Sequence, residues 1–324
     1  MFLRIDYMNY LIAGGAGFIG SHMVKRLLKE GHRVTVVDNL CTGSEDNIKK
    51  FLKIPNFKFV NADICSYDDS EKYDRIVNLA CPASPVHYQA NPIQTMLTNV
   101  QGTYNLLGMA YLKGARFLQA STSEVYGDPS VHPQPEEYLG NVNCYGPRSC
   151  YDEGKRAAES LVYDFQRVVQ LDARIVRIFN TYGPNMAIND GRVVSNFIVQ
   201  ALKGDKITIY GDGQQTRSFC YVEDTVDGIL KVLEGDYNKP VNVGNPDEYT
   251  MNQIAETILK ITGSKSGIAY FTLPEDDPKQ RKPDISKIYQ KYGWEPTITL
   301  DFGLNYTVKY FKRVVKLLPP KEVL

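Results

Sequence analysis

Short runs of β-branched and apolar residues alternate with amphipathic stretches through the first half of the chain. Tyr10–Ala13, Val34–Val37, Phe57–Asn61, Arg75–Leu79, Arg116–Ala120 and Arg174–Ile178 read as strands. Between them Phe18–Lys29 reads as a helix, and so does Gln94–Leu112, where Leu97, Val100, Tyr104, Leu107 and Tyr111 recur at helical spacing. Tyr151–Val169 is a third helix, with Ala157, Leu161, Phe165 and Val168 on one face. Apolar strands alternating with helices predict a parallel sheet covered on both sides and wound right-handed. After about Asn180 the rhythm loosens and loops lengthen, as expected of a smaller region that covers a substrate.

Composition narrows the class without naming a chemistry. The 324 residues carry 37 basic and 37 acidic side chains, which gives no support for a generally basic nucleic-acid binder. No uncharged apolar run approaches the roughly 18 residues that a membrane span needs. Met1 to Tyr7 lacks the pattern of a secretory signal, so a soluble form is expected. The 6 cysteines form no C-x-x-C pair, which argues against zinc and a disulfide framework and for a reducing cytoplasm.

The first strand runs straight into Gly14-Gly15-Ala16-Gly17-Phe18-Ile19-Gly20 and then a helix. Gly14, Gly17 and Gly20 make a tight turn, leave room for a pyrophosphate against bare backbone, and let helix and strand pack closely. The anion then sits on the helix N-terminus, where unpaired N–H groups point at it. Alone, such glycines often only turn the chain. Here Asp38 ends the second strand at about the 20-residue offset of a ribose-binding carboxylate, where by itself it would be a solvated acid. Asp38 followed by Asn39, with no arginine nearby, favours NAD over NADP. The expected fold is therefore α/β: a Rossmann-type doubly wound parallel sheet over 8–180, with about 219–245 returning to it. A smaller α/β substrate-binding domain is expected over 181–218 and 246–315.

Tyr151-Asp152-Glu153-Gly154-Lys155 opens the third helix. A spacing of four puts phenol and ammonium one turn apart on one face, where the cation favours phenolate and suits the tyrosine to acid–base work. On any surface helix the same spacing is an ordinary pair. Upstream, a strand ends in Ala120-Ser121-Thr122-Ser123-Glu124-Val125-Tyr126-Gly127, and doubly wound sheets place ligands at such strand ends. A hydroxyl of Ser121 or Thr122 there serves a redox site or merely bonds backbone at the strand end.

Taken together, the glycine motif, Ser121–Gly127 and the Tyr151–Lys155 pair resemble the extended short-chain dehydrogenases/reductases that act on nucleotide sugars. Longer segments are similar to the UDP-glucuronate decarboxylases, also called UDP-xylose synthases. They are Ala80-Cys81-Pro82-Ala83-Ser84-Pro85-Val86-His87-Tyr88, the run from Gly146 to Arg156, Asp190 to Phe197, and Asp276 to Ile285. The similarity runs from about Asn9 to about Phe311. It implies NAD contacts at Gly14, Gly17, Phe18, Ile19, Asp38, Asn39, Thr42, Gly43, Asp63, Ile64, Leu79, Ala80 and Thr98, with Gly20 completing the turn. It implies Tyr151 as the base at the sugar C4 hydroxyl, with Lys155 lowering its pKa and holding the nicotinamide ribose. Thr122 would share the C4 oxygen. Glu124 and Arg281 would sit near the carboxylate and C5, with Pro85, Tyr88 and Ser123 nearby. Asn180 and Arg217 are candidates for the diphosphate, and Arg192 serves either cofactor or substrate phosphate. Arg281 on composition alone is a solvated arginine in the charged loop from Glu275 to Lys282; the resemblance reverses that preference.

The expected cycle is C4 oxidation of UDP-glucuronate, loss of carbon dioxide from the β-keto acid, reprotonation at C5, and reduction at C4 to give UDP-xylose without net redox. Release of the 4-keto pentose, 4-epimerisation and 4,6-dehydration are the neighbouring chemistries. Dehydratases carry Asp where this chain has Ser123, and a serine is a poor proton donor at neutral pH. A non-enzymatic NAD-sensing module is the reading from another class, and the Tyr151–Lys155 pair argues against it. The chain departs from the family at Leu139 for Trp, at Cys144-Tyr145 for Pro-Ile, and at Cys81 for Ser. No metal and no nucleic acid is expected. The apolar excess of helices near 94–112 and 151–169 is expected to serve a homodimer through a four-helix interface.

Overall fold

A computed structural model describes residues 7–272 and 280–317. Part of the family-like segment, Asp276 to Lys279, therefore lies outside the described residues, as does Glu275. The predicted strands form, most with small extensions and Arg75–Leu79 one residue shorter. They are β1 (Asn9–Ala13), β2 (Arg33–Asp38), β3 (Phe57–Asn61), β4 (Arg75–Asn78), β5 (Arg116–Thr122) and β6 (Ala173–Ile178). With the strand Pro240–Val243 they make one seven-stranded sheet in the order 240–243, β6, β5, β4, β1, β2, β3. Every pairing in it is parallel. The order reverses between β1 and β4, and that crevice at the carboxyl ends of the strands is where such sheets bind ligands. Leu11, Ile12, Ile76, Val77, Phe117 and Leu118 are fully buried, as expected of central strands covered on both faces.

The helices are α1 (Phe18–Lys29), α2 (Glu45–Ile48), α3 (Pro85–Ala90), α4 (Pro92–Leu97), α5 (Thr103–Lys113) and α6 (Ser149–Val169). The single helix expected over Gln94–Leu112 is α4 and α5 joined through a π-helical turn, Thr98–Gly102. Its recurring apolar positions divide between solvent and core. Leu97, Tyr104 and Tyr111 are exposed, whereas Thr95, Thr98, Asn99, Thr103, Leu106, Leu107 and Ala110 are buried. Close packing explains the choice of small and polar groups on the inner face. A Cβ on Gly102 would stand 2.5 Å from Ile64 Cδ1, and one on Gly154 of α6 would stand 2.9 Å from Asn99 Nδ2.

Beyond Asn180 the chain is more regular than its loosened pattern suggests. Helices occupy Val193–Lys203, Val222–Glu234, Met251–Thr262, Ser286–Tyr292 and Leu300–Lys316. Ile207–Tyr210 pairs with Ile268–Phe271, and Thr216–Ser218 pairs with both Glu248–Thr250 and Gln280–Arg281. The last pairing sets Arg281 beside Arg217. Val194, Phe197, Ile254 and Leu304 join the core that backs one face of the main sheet. Among the described residues no helix is long and apolar enough to cross a membrane.

Candidate active site

The β1–α1 turn is built for close approach. Gly14 has φ +77°, and a Cβ there would stand 2.8 Å from Ala80 N; a Cβ on Gly20 would stand 2.2 Å from Gly14 O. Gly17 caps α1 without a side-chain bond, so first-turn N–H groups remain available to an anion. Asp38, buried at the end of β2, accepts from Ala16 N and Leu40 N at 2.9 Å each. Burial pushes its carboxyl up, and those two bonds oppose the shift. Asn39 donates to Asp63 Oδ2 at 3.3 Å, which joins the ends of β2 and β3.

On the other side of the crevice β5 delivers Thr122, whose Oγ1 accepts from Glu124 N at 3.2 Å and caps a short 3₁₀ turn. That turn aims Glu124 at two guanidiniums. Arg148 Nη2 lies 2.5 Å from Glu124 Oε2, and Arg281 Nη2 lies 3.4 Å from the same oxygen. Arg281 is buried and also donates to Gly127 O at 2.9 Å and to Ser123 O. Burial would raise the Glu124 carboxyl, but Arg281 and then Arg148 outweigh it and the net direction is down.

Tyr151 and Lys155 rise from the first turns of α6, both buried. Lys155 Nζ donates to Ala120 O at 2.9 Å and lies 5.9 Å from the Tyr151 ring centroid. The expected lowering of the phenol by Lys155 is not the net outcome among the protein's own groups. Burial, aided by Cys81, raises the Tyr151 phenol well above its ordinary range, and a bond with Thr122 opposes this. Burial also lowers Lys155.

One cleft of about 970 Å³ gathers every residue singled out from the sequence, from Gly14, Asp38 and Thr98 to Tyr88, Asn180, Arg192, Arg217 and Arg281. Arg192 is held by Asp190 through two bonds, at 2.5 and 2.8 Å, and lies over the ring of Phe18 at 5.7 Å, next to the glycine turn. Cys81 lines the cleft, whereas Leu139 and Tyr145 stand in solvent at 85% and 95% exposure. Arg148 was missed. It lies within the family-like run Gly146–Arg156, three residues before Tyr151, and that offset at a helix start was the available signal.

A doubly wound sheet with this glycine turn and a buried Tyr–Lys pair opposite it has the architecture of an extended short-chain dehydrogenase/reductase. Residues 10–244 match the model of the NAD dependent epimerase/dehydratase family. UDP-glucuronic acid decarboxylase 5 of Arabidopsis thaliana is 54% identical over 94% of this chain and 89% of its own length. UDP-glucuronic acid decarboxylase 1 of Xenopus tropicalis is 50% identical over 95% of this chain and 73% of its own. Among solved structures, UDP-glucuronic acid 4-epimerase from Bacillus cereus, in complex with UDP-glucuronic acid and NAD, superposes with a TM-score of 0.86 at 28% identity, covering 95% of this chain and 100% of that one. The chain belongs to the NAD dependent epimerase/dehydratase family, and its similarity is high to the family's UDP-glucuronic acid decarboxylases.

Proposed function

We propose that the protein decarboxylates UDP-glucuronate to UDP-xylose. One observation carries the reading beyond family membership: a buried arginine, Arg281, meets Glu124 and the Ser123 backbone at the end of β5, on the same cleft as Tyr151. The β1–α1 turn fits a dinucleotide, because the cradle that a Cβ on Gly14 or Gly20 would fill is bare. NAD bound there would supply the hydride acceptor, and then the hydride donor, for C4.

Gly14, Gly17 and the start of α1 hold the pyrophosphate, Asp38 and Asn39 an adenosine ribose, and Lys155 the nicotinamide ribose. Arg192, stacked over Phe18, serves the cofactor side. Tyr151 removes the C4 hydroxyl proton with Thr122 sharing that oxygen. A basic phenolate is a strong proton acceptor, and Lys155 beside it offsets the cost of forming that anion in a buried site. The C4 ketone makes the sugar a β-keto acid, so the C5–carboxylate bond breaks with its electrons drawn into the enolate. Arg281 orients the carboxylate by its planar fork, while Glu124 faces C5. Ser123 offers no acid for expelling a C6 hydroxyl, which disfavours dehydration. Arg217 and Asn180 serve the diphosphate, in a lobe made of 181–218 and 246–315 that covers the sugar nucleotide. The protein acts as a cytoplasmic homodimer through the exposed stripes of α4–α5 and α6.

Incubation with UDP-glucuronate and catalytic NAD tests the reading. Carbon dioxide with UDP-xylose is expected. Carbon dioxide with a 4-keto pentose would remove the final reduction, and a 4-epimer or no turnover would overturn the decarboxylase reading.

A further inference from the structure

Arg148 reaches two carboxylates from one guanidinium. Its Nη2 is 2.5 Å from Glu124 Oε2, and its Nε is 3.9 Å from Asp152 Oδ2. Arg148 and Glu124 line the cleft, whereas Asp152 stands behind them, one turn along α6. Asp152 is 6% exposed, and its Oδ1 is buried without a hydrogen-bond partner among the described residues. A buried carboxylate so weakly bonded is costly unless it takes a proton.

We propose that Asp152 is a positioning residue for decarboxylation: by binding or releasing a proton it sets how firmly Arg148 holds Glu124 toward C5 of the sugar. This rests on the decarboxylase reading and extends it to a residue that does not touch substrate. Facing Asp152 are Glu124 from the turn after β5, Arg281 from the strand Gln280–Arg281, Tyr88 from α3, and Arg148, Cys150, Tyr151 and Glu153 along its own helix. Burial first, then Glu124, raises its carboxyl to about 7, against the pull of Arg148 and Arg281. A substrate carboxylate entering beside Arg281 adds a third acid to a cluster held by Arg148, Arg281 and, acting on Glu124, Arg217. Of the three, Asp152 is the one with an unbonded oxygen and the loosest ion pair, so it takes the proton. Neutral Asp152 no longer draws on Arg148, which then holds Glu124 more firmly. Ionised Asp152 competes for Arg148 and loosens Glu124. The overall reaction, carboxylate plus one proton giving a C–H bond and carbon dioxide, proceeds best in a pocket that has already gained that proton.

The test is the pH dependence of carbon dioxide release by wild type, Asp152→Asn and Arg148→Lys. Wild-type kcat is expected to fall about fivefold between about pH 6 and 8.5, while Asp152→Asn, fixed in the neutral form, changes less than about twofold with KM preserved. Arg148→Lys, a point charge that cannot span both acids, is expected to lose about tenfold in kcat with NAD affinity kept. Calorimetry of Tyr151→Phe, which binds but does not turn over, in buffers of different ionisation enthalpy with UDP-glucuronate near pH 7, should record proton uptake on binding. A wild type that releases no carbon dioxide overturns the functional reading. A wild type that decarboxylates while Tyr151→Phe binds UDP-glucuronate without proton uptake, or an Asp152→Asn variant that keeps the wild-type inflection, overturns this inference alone.

Discussion

The phenol rings of Tyr88 and Tyr151 lie face to face, 4.9 Å between centroids and 7° from parallel. The contact joins α3, from the loop between β4 and α4, to the first turn of α6, so a segment that lines the cleft also orients the proposed base. Tyr88 Oη is buried and has no partner among the described residues. Removing that hydroxyl alone should therefore cost the fold nothing: Tyr88→Phe is expected to hold or slightly raise the Tm, since an unsatisfied buried group is lost. If the hydroxyl serves the sugar nucleotide, KM rises several-fold in the same variant. Tyr88→Ala removes the stack, with a stability loss of about 3 kcal/mol and a fall in kcat. Denaturant melts with steady-state kinetics separate the two, and a destabilised Tyr88→Phe would contradict the first.

Tyr151→Phe leaves the ring stack and the glycine turn intact while deleting the acid–base group. NAD affinity should stay within about twofold and turnover should fall at least about 100-fold, the range for a lost general base. Cofactor titration by fluorescence and a carbon dioxide assay on the same preparation check both halves. Near-wild-type turnover would dismiss Tyr151 from the mechanism.

The parallel sheet was legible because its central strands are buried on both faces, and such strands read as apolar runs whatever lies around them. Gly14, Asp38, Thr122 and Tyr151 were legible for a related reason: each sits at the end of a regular element, so local spacing fixes its place. Arg281 was not legible in that way. Its position comes from a two-residue pairing with Thr216–Ser218, far away in sequence, and only likeness to a family singled it out. The stripe Leu97–Tyr104–Tyr111 was seen as part of an apolar excess, but which of its residues face the sheet was not legible, because periodicity reports which residues share a face and not what covers that face. The inner face instead uses Thr95, Asn99 and Thr103, whose small or hydrogen-bonded side chains admit closer packing. Asp152 and Arg148 became visible only when three separate segments met.

Gly20→Ala tests the cradle directly. Its Cβ would stand 2.2 Å from Gly14 O and 2.8 Å from Gly15 Cα, both backbone, so the turn must move. NAD binding is expected to weaken by at least about tenfold, because the pyrophosphate site is that turn. Isothermal titration with NAD reads the change. Unaltered affinity would place the dinucleotide elsewhere.

His22 gives the fold an acid sensitivity outside the cleft. Its Nε2 lies 2.9 Å from Pro184 O, and burial lowers the ring to about 4, with that bond opposing. A histidine depressed on folding is neutral in the native state while the unfolded chain takes up a proton. Stability is thus lost as pH falls from about 6.5 through about 4, by roughly 1–3 kcal/mol for this group. His22→Gln keeps a donor for Pro184 O without a proton to bind, and should flatten that part of the decline in urea unfolding at pH 7 and 4.5. An equal decline in the variant would assign the acid loss to other groups.

Leu97, Tyr104 and Tyr111 recur every seven residues, two helical turns apart, and stand 47%, 55% and 51% exposed. Tyr104 meets the ring of Phe165 edge-on at 6.0 Å, which links this stripe to α6, where Tyr163 and Val168 are also exposed. An apolar face shared by two adjacent helices suits a two-fold partner presenting the same pair, and four helices then bury what one chain leaves in water. The proposed homodimer rests on that complementarity. Tyr104→Glu is the sharper probe, since a two-fold axis confronts each new carboxylate with the same helices and buries it without a cation. The loss is expected to be several kcal/mol, enough to convert a micromolar dimer to monomer. The fold of each chain should survive, because the Tyr104 side chain is at the surface of its own protomer. Sedimentation velocity of wild type and variant, with circular dichroism as the fold control, reads the outcome: a monomeric wild type, or a variant still dimeric at low micromolar concentration, refutes this interface.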